Sequence, residues 1–68
     1  MAKVLKTIEI MGESPESWEV AVKDVVKTAA KTVKGIKSVW VKDMSAEVGD
    51  DGSLKAYRVN CKITFEVQ

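Results

Sequence analysis

The sequence predicts an α+β domain of order β-α-β-β, in which a three-stranded antiparallel sheet partly wraps around one helix. Three observations predict it. Apolar and polar residues alternate with a period of two over residues 3–11, 36–48 and 54–67. An apolar stripe of helical period runs between Pro15 and Lys34. Gly49-Asp50-Asp51-Gly52 separates the last two alternating runs and has the composition of a turn.

The first strand spans Lys3 to Met11. Val4, Ile8 and Ile10 share one face with Lys6, while Leu5, Thr7, Glu9 and Met11 share the other, and Gly12 ends the run. Ser14-Pro15-Glu16 then reads as a helix start. Ser14 caps orphan N–H groups, and Pro15 suits the first helical position, where its missing N–H is not needed. Trp18, Ala21, Val22, Val25, Ala29 and Val33 recur at steps of three and four, so they form the buried stripe. Lys23, Lys27, Lys31 and Lys34 line the opposite, solvated side, and Gly35 stops the helix.

In the second strand, Trp40, Met44, Ala46 and Val48 fall on one face with Lys42. Val39, Val41, Asp43 and Ser45 fall on the other. The third strand, Leu54 to Val67, has the clearest pattern. Tyr57, Val59, Cys61, Ile63, Phe65 and Val67 face one way, and Ala56, Arg58, Asn60, Lys62, Thr64 and Glu66 face the other. The helix returns the chain so that the first two strands run parallel. A fully antiparallel sheet therefore needs the third strand in the middle.

The 68 residues make one domain, residues 1–68. A chain this short buries only about 60% of its unfolded surface. Disulfides, a metal or assembly usually compensate. Cys61 is the only cysteine and histidine is absent, which removes an internal disulfide and a structural zinc site. Assembly is left, and lengths support it. A helix over Pro15–Lys34 is about 30 Å long and ~10–12 Å wide. Three strands ~4.8 Å apart, the last about 45 Å long, exceed it in both directions. Uncovered sheet must find another surface, and copies of the chain can supply it in a closed homo-oligomer.

Eleven basic residues against ten acidic ones leave a net charge of +1, which points to neither nucleic acid nor a membrane surface as partner. The N-terminus lacks the apolar core of a signal peptide, so the expected location is cytoplasmic. No histidine serves general acid–base chemistry, and no glycine-rich phosphate loop is present, so no catalysis is expected.

At the level of particular residues, this chain resembles the dodecins, small β-α-β-β proteins that assemble as hollow dodecamers. The landmarks are Lys3-Val4 and the strand ending at Gly12, Ser14-Pro15-Glu16-Ser17-Trp18 opening the helix, Tyr57-Arg58-Val59, and the closing Phe65-Glu66-Val67. The resemblance spans almost the whole chain and rests on the sum of these features. It implies a homododecamer and, for most members, binding of riboflavin or FMN. In those members a tryptophan on the second strand stacks on the isoalloxazine ring, a glutamine on the third strand bonds the ring, and an aspartate on the second strand holds the ribityl chain. Counted without gaps, those positions are Ser38, Arg58 and Asp43 in this chain. Only Asp43 matches, so the chain resembles the members that lack the stacking tryptophan.

Trp40 lies two residues from Ser38 on the same strand face, about 6–7 Å along the strand. It can stack on a ligand or seal a subunit interface. Arg58 can pair with Asp43 or Glu47, or hold a phosphate or carboxylate. Trp18 is expected to pack in the core or an interface, and Cys61 to be a buried, inert thiol. Of the acidic residues Glu13, Glu16, Asp50 and Asp51, Glu13 and Glu16 are the candidate ligands for a divalent cation at a symmetry axis. The functional expectation is a dodecin-like homododecamer that stores or sequesters a small ligand or ion. Flavin storage and a ligand-free assembly module are the alternatives.

Overall fold

The structure, a computed structural model, describes residues 2–67. Its elements are β1 (Leu5–Ser14), α1 (Trp18–Ala29), β2 (Ile36–Val48) and β3 (Leu54–Glu66). The sheet order is β1-β3-β2 with both pairings antiparallel, so β3 is central as its alternation predicted.

β1 does not end at Gly12. It continues to Ser14, with Gly12 opposite Val59 and Ser14 opposite Tyr57. The glycine serves packing rather than chain reversal. A Cβ there would run into Cγ2 of Val25 and lie 3.4 Å from the Ala21 carbonyl oxygen, so its absence lets the helix settle onto the sheet.

The helix is shorter than Pro15–Lys34. Its N-cap is Ser17, whose Oγ accepts from the Val20 N–H at 3.1 Å. Ser14 is buried at the end of β1 instead, and its Oγ accepts from the Glu16 N–H at 3.0 Å, fixing the turn that carries Pro15. After Ala29 the chain tightens, with Lys31 N–H donating to the Thr28 carbonyl and Thr32 N–H to that of Ala29. The exit passes through Gly35 at φ 74°, a conformation that favours glycine. The 12 helical residues span about 18 Å.

Ala21, Val25 and Ala29 from the helix meet Val59, Cys61 and Ile63 from β3, and Ile8, Ile10, Val39 and Val41 flank this core. The helix rests on β1 and β3 and hardly touches β2. Its main tie to β2 is at its first residue. Trp18 Nε1 donates to the Ser45 carbonyl oxygen at 2.9 Å, and its ring stands edge-on to Tyr57 at 4.8 Å.

β2 departs from the predicted alternation. Its register against β3 shifts around Lys37, around Lys42 and again at Glu47–Val48. The shift at Lys42 is the consequential one. Val41 pairs with Cys61, but Asp43 pairs with Asn60 and Met44 with Val59. Directly paired residues share a sheet face. Trp40 is therefore not on the face of Met44 and Ala46. Those two lie on the helix side, and Asp43 joins Trp40 on the outer side, because the extra residue of a bulge reverses the alternation beyond it.

Candidate functional site

The outer face, opposite the helix, carries four successive rows across β1, β3 and β2. They are Thr7–Thr64–Ser38, Glu9–Lys62–Trp40, Met11–Asn60–Asp43 and Glu13–Arg58–Ser45. All four residues expected at a ligand site, Ser38, Trp40, Asp43 and Arg58, thus share one surface. Central β3 contributes a polar residue to every row, which is what its one-sided alternation demands.

Trp40 is 62% exposed, and the Lys62 Nζ sits 5.6 Å from its ring centroid. Such a cation–π contact is worth ~0.5–1 kcal/mol at an exposed site. Lys42, displaced by the bulge, reaches across to Glu9 at 3.5 Å. The Oδ1 of Asn60 is buried and accepts no hydrogen bond. A buried acceptor in that condition costs ~1–3 kcal/mol.

Arg58 does not pair with Asp43 or Glu47. Its Nε and Nη2 both donate to Oε1 of Glu13, at 3.0 and 2.7 Å. Register explains the correction, since Glu13 stands directly opposite Arg58, whereas Asp43 belongs to the Asn60 row and Glu47 to Ala56. An open cleft of about 220 Å³ lies beside the pair, lined by Met11, Gly12, Glu13 and Arg58.

Glu13 is therefore engaged by a cation of its own chain, and Glu16 is an exposed residue of the β1–α1 turn. Among the described residues, no three histidine, cysteine, aspartate or glutamate side chains converge within one protomer. Asp50 and Asp51 lie in the β2–β3 turn. There Asp51 Oδ1 accepts from the Ser53 Oγ at 2.7 Å and the Ser53 N–H at 3.0 Å, and these bonds hold its carboxyl below the usual value. Cys61 is in the core, and burial pushes its thiol up.

The usual flavin contacts do not fit at two of their three positions. Ser38 offers no ring to stack on. Arg58 has no acceptor for a ring N–H and is already bound to Glu13. What the face offers instead is Trp40 one row further in, with Asp43 in the row beyond it. Asn60, Lys62, Lys42 and Glu9 were not singled out from sequence. Their signal was the polar half of β3's alternation, which gains meaning only once β1 and β2 are known to flank it.

Fold and face define a small β-α-β-β sheet protein with one polar, aromatic-bearing outer surface and more apolar area than its helix covers. The chain belongs to the dodecin family, whose model matches residues 4–68. It is 31% identical over 68 residues to the dodecin of Thermus thermophilus, covering 100% of this chain and 97% of that one. It is 32% identical over 65 residues to the calcium dodecin of Mycobacterium tuberculosis, covering 96% and 90%. A crystal structure of a point mutant of the Thermus thermophilus dodecin superposes with a TM-score of 0.91 at 30% identity and 98% coverage of both chains. The Mycobacterium tuberculosis calcium dodecin, described as calcium chelating with a novel calcium-binding site, superposes with a TM-score of 0.81 at 32% identity, covering 96% and 91%. No helix among the described residues is long and apolar enough to cross a membrane.

Proposed function

We propose that this chain is the single-domain subunit of a dodecin-type homododecamer that stores or sequesters a small ligand or ion and catalyses no reaction. The observation that carries this reading is the bulge at Lys42, which brings Asp43 onto the outer surface that carries Ser38, Trp40 and Arg58. A solvent-exposed tryptophan with a lysine over its ring is a ready stacking platform for a planar ligand. Asp43 supplies an acceptor in the next row. Because Ser38 and Arg58 replace two usual flavin contacts, a flavin would have to be held by Trp40 and Asp43 rather than in the standard way.

A divalent cation is the second reading, favoured by the relationship to a calcium dodecin. Glu13 and Glu16 are its candidate ligands, multiplied by copies around a symmetry axis, and binding would require Glu13 to leave Arg58. The test is titration of the assembled protein with riboflavin and FMN, followed by flavin fluorescence, beside calorimetric titration with calcium before and after chelator treatment. Saturable quenching that is lost in Trp40→Ala supports the ligand face, and calcium binding lost in Glu13→Gln and Glu16→Gln supports the cation site. An assembled protein that responds to neither leaves only the ligand-free assembly module.

A further inference from the structure

The Arg58–Glu13 pair is an unfinished fork. A guanidinium and a carboxylate pair best through two parallel bonds to two oxygens. Here both donors converge on Oε1 alone, at 3.0 and 2.7 Å, so Oε2 and the Nη1 group lie outside the contact. Each side chain is 46% exposed, which leaves the pair screened and easily exchanged. The pair borders the open cleft beside Met11 and Gly12. Two residues along the same face, the buried Oδ1 of Asn60 lacks a donor.

We propose that Arg58 is an anion-binding residue kept in reserve by Glu13. The outer face then selects ligands bearing a phosphate or carboxylate, whose two oxygens complete the fork. Glu13 is the internal competitor that such a ligand displaces. This inference rests on the outer face being a ligand surface and narrows the class of ligand to anions.

Arg58 is the only arginine in the chain, so its Nε–H is a single reporter. The experiment follows that resonance in the isotope-labelled, assembled protein during titration with inorganic phosphate, with chloride at equal ionic strength as the control. Phosphate is expected to move it saturably and chloride not. Glu13→Gln is expected to tighten phosphate binding by up to about fivefold, the factor that loss of an exposed ion pair allows. Arg58→Lys, which keeps the charge but loses both the fork and the reporter, is expected to weaken phosphate binding as followed by calorimetric titration. A resonance that responds to phosphate no more than to chloride, in both the parent and Glu13→Gln, overturns the inference. FMN and riboflavin, which differ in one phosphate, separate the two readings. If phosphate engages Arg58 but neither flavin binds, the anion site stands and the stacking role of the face falls. If both flavins bind equally with the Arg58 signal unmoved, the face stands and the anion site falls.

Discussion

Arg58 on β3 and Glu13 on β1 stand directly opposite each other and are joined through a single carboxylate oxygen, 2.7 Å from Nη2. Both are half exposed, so the geometry serves local order more than stability. Removing either partner is expected to cost less than about 1 kcal/mol. A double-mutant cycle of Glu13→Gln and Arg58→Gln, read by urea unfolding at fixed protomer concentration, is expected to give a coupling of ~0.2–1 kcal/mol. That coupling is expected to shrink as salt rises, because charges this exposed are screened within a Debye length of ~8–10 Å. A salt-independent coupling of several kcal/mol would show that the pair is buried by neighbouring copies.

Gly12 on the sheet and Val25 on the helix approach each other closely. Any side chain at residue 12 meets Cγ2 of Val25 at once. Gly12→Ala is therefore expected to destabilise by about 1–3 kcal/mol, the range for overpacking a well-filled core. Trimming the obstacle should recover part of this loss. In the Gly12→Ala/Val25→Ala pair, urea unfolding is expected to show a favourable coupling of ~0.5 kcal/mol or more. Additive losses would mean that residue 12 acts through something other than this contact.

The order of elements, the central position of β3 and the bounds of β2 were legible because each follows from a strong period. The end of β1 was not, because a glycine marks a turn and a close approach equally well. The helix start was misplaced by one turn, since Ser14 and Ser17 are both cap residues and only packing decides between them. Ser14 is consumed by the strand end, which hands the cap to Ser17. The bulge did leave a trace. Apolar positions in β2 switch from odd numbers at Val39 and Val41 to even numbers at Met44, Ala46 and Val48, with Lys42 and Asp43 at the switch. Faces assigned by strict alternation hide that trace. The Glu13–Arg58 pairing needs the β1–β3 register, which no local pattern supplies.

Asp51 organises the β2–β3 turn, and its charge makes that contribution pH-dependent. Its bonds from the Ser53 hydroxyl and N–H lower its folded pKa below the ordinary aspartate value of 3.8. A carboxylate depressed on folding stabilises above its unfolded pKa, and that contribution is lost as pH falls through the depressed folded value. Asp51→Ala is thus expected to be less stable than the parent at pH 6, with the difference narrowing as pH falls below about 3.8. Asp51→Asn, which keeps an acceptor for Ser53 but not the charge, is expected to lie between them at pH 6. Urea midpoints across pH 2.5–7 give the comparison, and a parent–Ala difference that does not narrow toward the acid end contradicts it.

The last consequence concerns the surface the helix leaves bare. Met44 is 63% exposed on the helix side of β2, and Trp40, Met11 and Leu5 are exposed on the outer side. The observed helix is shorter than the predicted one and hardly reaches β2, so the mismatch between helix and sheet is larger than the sequence implied. Each such side chain moved out of water contributes roughly 1.5–3 kcal/mol, enough for a few of them to hold copies together. Met44→Glu is expected to shift the assembled protein toward smaller species in sedimentation. Its unfolding midpoint should also fall on dilution, as binding of a partner to the folded state requires. Lys23→Gln, on the solvent side of the helix, is expected to leave both measurements unchanged. If the parent protein stays folded with a dilution-independent midpoint as a monomer, the bare face does not drive assembly, and Met44 is simply a tolerated surface residue.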